Sequence, residues 1–455
     1  MSEYREYIAK KAGINYGGNA LNPDNIHPAL FPFQADCLRH LLSIGRGAAF
    51  LDTGLGKTIL QCEWAKHIPG EVLIIAPLAV ARQTQRESKK LLNLDMEYSR
   101  DGSVKSQITI TNYEMVEHFD CSRFAGVVLD ESSILKGQSS KTRVMLTELF
   151  QQTPYKLACT ATPAPNDYTE LGNHAEFLGH MTQQEMLSRW FVHDSANTQD
   201  WRLKGHAVKP FWQWVASWAA CVSKPSDLGY EDDAYNLPKL SITTHKVNVE
   251  TVTEFDKGLL FDVPELNATS LHKQKRASVH DRVALVAEKV NASKQQWLVW
   301  CESNQESELL KKAIPDGIEV KGSDKADYKE DALIGFADGS YRVLISKPSI
   351  CGFGMNFQNC TKIAFASISY SYESFYQAIR RSWRFGQKKP VDVHVVIADA
   401  ETPVWRAIER KALDHDRMKE HMKWAVFNLD GESHKKIDYM PDHVGTLPKW
   451  LTSDV

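Results

Sequence analysis

Short apolar blocks alternate with longer amphipathic stretches along this chain. Five blocks come early: AAFLD (48–52), VLIIAP (72–77), ITITN (108–112), AGVVLD (125–130) and KLACTA (156–161). Five more come late: QWLVWCE (296–302), IEVKG (318–322), RVLISK (342–347), KIAFASI (362–368) and VDVHVVI (391–397). Each block has the length of a strand, and helix-length segments separate them, which predicts βαβ units and parallel sheets. The first set ends before residue 165 and the second begins after 295, so the expected fold class is α/β with two lobes. The stretch between them has a different texture. Residues 181–222 hold Trp190, Trp201, Trp212, Trp214 and Trp218. Phe211, Trp214, Val215, Trp218 and Val222 recur at three- to four-residue spacing, which predicts an amphipathic helix packed on a lobe. KPSDLGYEDDAYNLPK (224–239) then reads as a linker. The expected organisation is an extension (1–27), a first lobe (28–180), a Trp-rich helical insertion and linker (181–235), a second lobe (236–429) and a polar tail (430–455).

Composition narrows this picture only slightly. Lys and Arg number 54 against 57 Asp and Glu, a formal net charge of −3 over 455 residues. That excludes a polybasic protein but allows a local basic track. No apolar run approaches the ~18 residues that span a bilayer, and the N-terminus shows no apolar signal core. Eight scattered cysteines form no CxxC pair and no zinc spacing, so buried thiols in the cytoplasm are expected.

Chemistry enters at residues 48–60, AAFLDTGLGKTIL. An apolar strand runs into a glycine-rich turn and then a helical start. Gly54 and Gly56 let the backbone of Thr53–Gly56, Leu55 included, approach a polyphosphate, and the helix N-terminus favours its charge. Lys57 can reach the outer phosphates, and Thr58 can offer its hydroxyl to Mg²⁺. The strict phosphate-loop pattern would need glycine where Leu51 stands. A second strand, GVVLD, ends in Asp130 and Glu131. A nucleotide hydrolase needs one carboxylate for Mg²⁺ and one for the attacking water. CTATPAPND (159–167) follows another strand, and its hydroxyls can sense the phosphate end of such a site. Gln34 in ALFPFQ can read an adenine edge. In the second half, YQAIRRSWRFGQKK (376–389) sets Arg381 and Arg384 three residues apart, on one face if helical. From there they can reach a triphosphate held by the other lobe.

Taken in order, Gln34, DTGLGKT (52–58), APLAV (76–80), DESS (130–133), TATP (160–163), GFGMN (352–356) and QAIRRSWRFGQ (377–387) resemble the motifs of superfamily two helicase-like ATPases. The last motif is similar to the QAxxRxxRxGQ signature of the Swi/Snf branch, and the likeness runs from about residue 28 to 400. It implies two RecA-like lobes of the P-loop NTPase kind with ATP and Mg²⁺ in the cleft. By position it assigns Gln34 to adenine, Lys57 and Thr58 to phosphates and metal, Asp130 to the metal and Glu131 to the water. Arg381 and Arg384 would complete the site, with Gly354, Asn356 and Gln387 near the nucleotide. Thr160 and Thr162 would couple hydrolysis to movement. The pattern departs from the branch at Ser132 and Ser133, which replace the residues usual after Asp130 and Glu131. It departs again at KPSIC (347–351) and at SISYSYES (367–374). The compact chain fits a small bacterial or phage-type member.

The branch implies a DNA-dependent ATPase that tracks along duplex DNA without sequence preference, as a cytoplasmic monomer. A nuclease, methylase or other DNA-processing protein would be its partner. LHKQKRASVHDR (271–282) and the 380–389 stretch are candidate phosphate contacts. Two other readings stand beside it. One is a strand-separating helicase or the motor subunit of a restriction or repair complex; the other is a scaffold with a degenerate ATPase fold.

Overall fold

A computed structural model describes residue 21 and residues 25–429, apart from 138–139, 194–200, 233–234, 248–274 and 352–355. The first lobe opens with α1 (Pro32–Ile44), β1 (Arg46–Leu51) and α2 (Lys57–His67). It continues through β2 (Val72–Ala76), α3 (Leu78–Leu92), β3 (Glu97–Tyr98), β4 (Ile108–Asn112), β5 (Gly126–Asp130), α4 (Lys141–Leu149) and β6 (Tyr155–Cys159). Then come α5 (Leu171–Leu178), α6 (Gln183–Trp190), the hairpin β7 (Phe191–His193) and β8 (Trp201–Leu203), α7 (Val208–Ala216) and β9 (Ala219–Val222). The seven-stranded sheet runs β3-β4-β2-β5-β6-β1-β9 with every pairing parallel. Apart from the short β3 at the edge, its strands are buried on both faces, which is why they read as near-continuous apolar runs. In β1, Ala48 and Phe50 enter one core, and Ala49 and Leu51 enter the other.

The second lobe comprises β10 (Leu240–Val247), α8 (Val279–Asn291), β11 (Trp297–Trp300), α9 (Asn304–Ala313), β12 (Gly317–Val320), α10 (Ala326–Ala337) and β13 (Val343–Ser346). After them come α11 (Pro348–Cys351), β14 (Lys362–Phe365), α12 (Tyr372–Ile379), β15 (Val391–Ala398) and α13 (Thr402–Leu429). Its six strands run β10-β15-β14-β11-β13-β12, again all parallel. All ten strands expected from the apolar blocks are present, and so are the two parallel-sheet lobes. Among the described residues no helix is long and apolar enough to cross a membrane.

The Trp-rich segment supplies helices, as its spacing suggests, but the helix expected to reach Val222 stops at Ala216. Val222 belongs to β9, which pairs with β1 and so becomes an edge of the first sheet. Trp190, Trp212 and Trp218 are buried in the first-lobe core. The end of the chain also crosses an expected boundary. α13 leaves the second lobe, and its Met418, Met422 and Ala425 enter the first-lobe core. The expected tail, 430–455, lies outside the described residues. All seven described free cysteines are buried.

Candidate active site in the interlobe cleft

The site lies at the C-terminal ends of the strands, where ligands of open parallel sheets bind. β1 feeds a tight turn in which Gly54 and Gly56 have φ of +95° and +82°, values that L side chains rarely adopt. A Cβ on Gly54 would stand 2.8 Å from Cβ of Phe385, so the second lobe already leans on this loop. α2 starts at Lys57, which puts Thr58 in its first turn. The Lys57 ammonium donates to the Leu51 carbonyl at 2.9 Å and the Asp52 carbonyl at 3.4 Å, folded back on its own loop. Burial lowers its pKa, against the pull of Glu131, Asp52 and Asp130. Gln34 is buried, and its amide is committed to backbone. It donates to Leu55 O at 2.9 Å and accepts from Phe31 N at 2.8 Å. In this state it ties the phosphate loop to α1 and presents no free edge to a base.

The carboxylates stand at the end of β5, two strands from β1, with β6 between. Glu131 has φ 56° and ψ 53°, a left-handed conformation uncommon outside glycine. Such backbone outliers cluster at functional sites. Burial pushes its carboxyl up to about 7; Lys57 and Arg381 oppose the rise, while Asp130 and Glu373 add to it. Asp130 is also raised by burial. Two carboxyls raised together, Asp130 buried and Glu131 part-buried, facing a lysine and a helix N-terminus, make a site that a cation would relieve. Gln61, one turn along α2, faces Asp130 closely enough to lower its pKa, yet its amide makes no hydrogen bond of normal geometry. Thr58, Asp130 and this orphaned amide fit a hydrated Mg²⁺.

The second lobe closes the site with α12 and the turn after it. α12 ends at Ile379, so Arg381 and Arg384 do not share a helical face as expected. Both lie in the following turn, held where Phe357 N donates to Arg381 O and Gln387 N to Arg384 O. Arg381 is buried, and its pKa is pushed down to about 10 by burial and by Arg384, with Glu131 opposing. Arg384 is lowered by burial, with Glu87 of α3 opposing; its Nε has no hydrogen-bond partner. Across the cleft, Glu373 of α12 accepts from Ser133 Oγ and Lys136 Nζ, while Gln377 Nε2 reaches Glu131 Oε2 at 3.5 Å. Ser132 meets His174 Nε2 at 3.1 Å inside the first lobe. The two serines that depart from the family pattern are thus a first-lobe contact and an interlobe contact.

Other expected residues take supporting places. Gln387 donates to Gln358 O at 2.8 Å and Ser382 O at 3.2 Å, and accepts from Lys388 N and Lys389 N. It is saturated by backbone, so it braces the arginine turn and leaves nothing for a nucleotide. Asn356 is exposed and accepts from Gln358 N at 3.3 Å; Gly354 lies outside the described residues. Thr160 and Thr162 are fully buried, with Thr162 N donating to Thr160 Oγ1 at 3.1 Å.

The expected DNA contacts change most. Arg282 is 1% exposed and bonds Glu306 at 2.9 Å, with Glu401 at 3.7 Å. Lys275 pairs with Glu302 at 2.9 Å and Glu401 at 3.3 Å. Arg282 neutralises the buried Glu306 and Glu401, and Lys275 shares Glu401 and the exposed Glu302; of this stretch Arg276 is exposed, and 271–274 lie outside the described residues. In the 380–389 stretch Arg380 and Arg381 are buried, and only Lys388 and Lys389 among the basic residues are exposed. Sequence reasoning missed Asp52, Glu373, Tyr376 and Lys419 as interlobe residues; Asp52 was legible only as part of the DTGLGKT motif.

Comparison with known proteins agrees with this architecture. Residues 249–386 match the helicase conserved C-terminal domain. Protein p41 of Acyrthosiphon pisum secondary endosymbiont phage 1 is 23% identical over 81% of this chain and 92% of its own length. The SWI/SNF-related matrix-associated actin-dependent regulator of chromatin subfamily A-like protein 1 of Drosophila melanogaster is 21% identical over 84% of this chain. The match spans 55% of that fly protein, about half its length. Among solved structures, S. cerevisiae Dbp5 bound to RNA and ADP BeF3 shares the fold with a TM-score of 0.54 at 11% identity, over 87% of this chain and 93% of Dbp5. The helicase domain match and these relatives, with the motifs in order across both lobes, make the chain similar to the Swi/Snf-type branch of the superfamily two helicase-like ATPases.

Proposed function

We propose that this chain hydrolyses ATP in the cleft between its lobes, and that bound duplex DNA stimulates the reaction and is the track along which the cycle moves the protein. The observation that carries this is the meeting of two half-sites. Lys57, Thr58, Asp130 and Glu131 come from the first lobe, and Arg381 from the second is close enough to shift Glu131. Lys57 binds the β- and γ-phosphates, and Thr58 and Asp130 hold the metal. Mg²⁺, when bound, neutralises charge on the phosphate oxygens. Glu131 orients the attacking water and takes its proton. Arg381 and Arg384 stabilise the charge that develops on the transferred group. A site completed by both lobes closes on ATP and opens after hydrolysis, which gives a stepping motion.

Duplex DNA fits as the partner because two relatives carry DNA- or chromatin-related names. Binding through phosphates is sequence-independent and weakened by salt. The protein acts as a cytoplasmic monomer, with a nuclease, methylase or other DNA-processing protein as its partner. Triplex displacement run beside fork unwinding tests the reading. Displacement without unwinding is expected, and unwinding without displacement overturns translocation in favour of strand separation.

A further inference from the structure

The phosphate loop begins with a carboxylate that takes part in none of the steps above. Asp52 sits between the last residue of β1 and Thr53, and it is 7% exposed. Four donors converge on it. Thr53 N, from the same loop, donates to Oδ1 at 2.6 Å. The Tyr376 hydroxyl of α12 donates to the same oxygen. Arg380, the residue that caps α12, pairs with Oδ2. Lys419 of α13 reaches Oδ2 at 3.1 Å. Tyr376 and Arg380 come from the second lobe and meet Asp52 only when the lobes close, whereas Lys419 lies on the part of α13 that packs in the first-lobe core. Arg380 is further fixed by Tyr376, whose hydroxyl accepts from its Nε at 3.1 Å, and it lies over the Tyr376 and Trp383 rings.

Arg380 is also the neighbour of Arg381. α12 has ended, so the turn carrying Arg381 and Arg384 needs another anchor on the first lobe. We propose that Asp52 is a positioning residue: by gripping Arg380, Tyr376 and Lys419 it docks the arginine turn and α13 onto the phosphate loop and holds the lobes closed for hydrolysis. Burial alone would raise the Asp52 carboxyl, but Arg380, Lys419 and Tyr376 hold it well below the usual carboxylate range. It is therefore ionised at any working pH. An ion pair buried between two bodies gains its full strength only when they meet, because each charge is hydrated when they part. The grip thus favours the closed arrangement without touching the nucleotide. Lys57 donates to the Asp52 carbonyl, so the loop that must receive phosphate and the latch share one residue.

This inference rests on the ATPase reading, and the test separates the two. Asp52→Asn keeps an acceptor for Thr53 N and removes the charge. Dyes on cysteines placed at the exposed Glu148 and Lys312, one per lobe, report the interlobe distance by energy transfer in the full-length chain. Asp52→Asn is expected to lengthen that distance, Lys419→Met to lengthen it less, and Arg380→Lys to stay close to wild type. In ATP turnover, Asp52→Asn should lower kcat by at least about tenfold and leave the Kd for ATP within about threefold, because the loss falls on closure and not on the loop. Arg380→Lys should retain most of kcat, which a merely structural lesion would not do. A distance distribution in Asp52→Asn that superimposes on wild type overturns the inference, and so does an unchanged or higher kcat. If wild type hydrolyses no ATP, the ATPase reading fails by itself and the distance measurement alone decides the latch.

Discussion

Changing Glu131 to glutamine removes one charge from a site that holds it at a cost, and the consequence can be worked through in pH. Burial raises the carboxyl from 4.5 to about 7. At 1.36 kcal/mol per pH unit, that difference corresponds to roughly 3 kcal/mol against the ionised form in the folded protein. The sign follows from proton binding. Below pH 4.5 the group is neutral in both states and costs nothing. As pH rises from 4.5 through about 7, the unfolded chain releases the proton first, so wild type loses stability until both states are ionised. The glutamine side chain never ionises and escapes this loss. Lys57 gives up one of three carboxylate neighbours in the variant, which returns part of the gain. The net expectation is a variant more stable than wild type by about 2–3 kcal/mol near pH 8 and equal to it near pH 4.5. For a lobe of this size that is a rise of roughly 5–10 °C in Tm at the higher pH. Thermal unfolding of both proteins at about pH 5 and about pH 8 measures it. A variant less stable at the higher pH, or a difference that ignores pH, would refute the account of the raised carboxyl. The same substitution should keep ATP binding and lower turnover by about 10²–10⁴.

Further outcomes follow from the same geometry. The wild-type kcat/KM for ATP should rise with pH through about 7, where the free protein's Glu131 ionises, as a pH–rate profile will show. Gly54→Ala puts a Cβ at φ +95° and against Phe385, so ATP affinity in a binding titration should fall by about tenfold or more. Arg282→Met leaves Glu306 and Glu401 without their buried cation and should destabilise the second lobe by about 3–5 kcal/mol in urea unfolding. If Arg282 instead held DNA, the same change would weaken DNA binding and leave stability alone. Replacing Lys388 and Lys389 with glutamine should lower the salt slope of DNA binding by up to about 2, since each phosphate contact contributes roughly one.

Much of the fold was legible because central parallel strands are apolar on both faces and so appear as unbroken runs. AAFL, VLIIA and GVVLD carry no competing signal. β9 was misread because AACV follows Trp214 and Trp218 at helical spacing, and only the pairing with β1 makes it a strand. β10 was passed over because LSITTHKV is half-exposed at a sheet edge. The phosphate loop and its carboxylates were legible from chemistry at short spacing. The fate of individual cations was not. In LHKQKRASVHDR the acid beside Arg282 is Asp281, yet Arg282 instead meets Glu306 and Glu401, 24 and more than 100 residues on. Asp52 illustrates the same limit, since its partners lie more than 320 residues away.

The central claim is that the two lobes together form a DNA-stimulated ATPase site. The most direct test is steady-state ATP hydrolysis at low salt, with and without duplex DNA, by wild type, Lys57→Ala and Arg381→Ala. The account predicts turnover that duplex DNA raises and added salt suppresses, and near-background rates in both variants. Hydrolysis that persists in Arg381→Ala at the wild-type level would contradict a site completed by the second lobe, and a wild-type rate that neither duplex nor single-stranded DNA changes would contradict the assigned track.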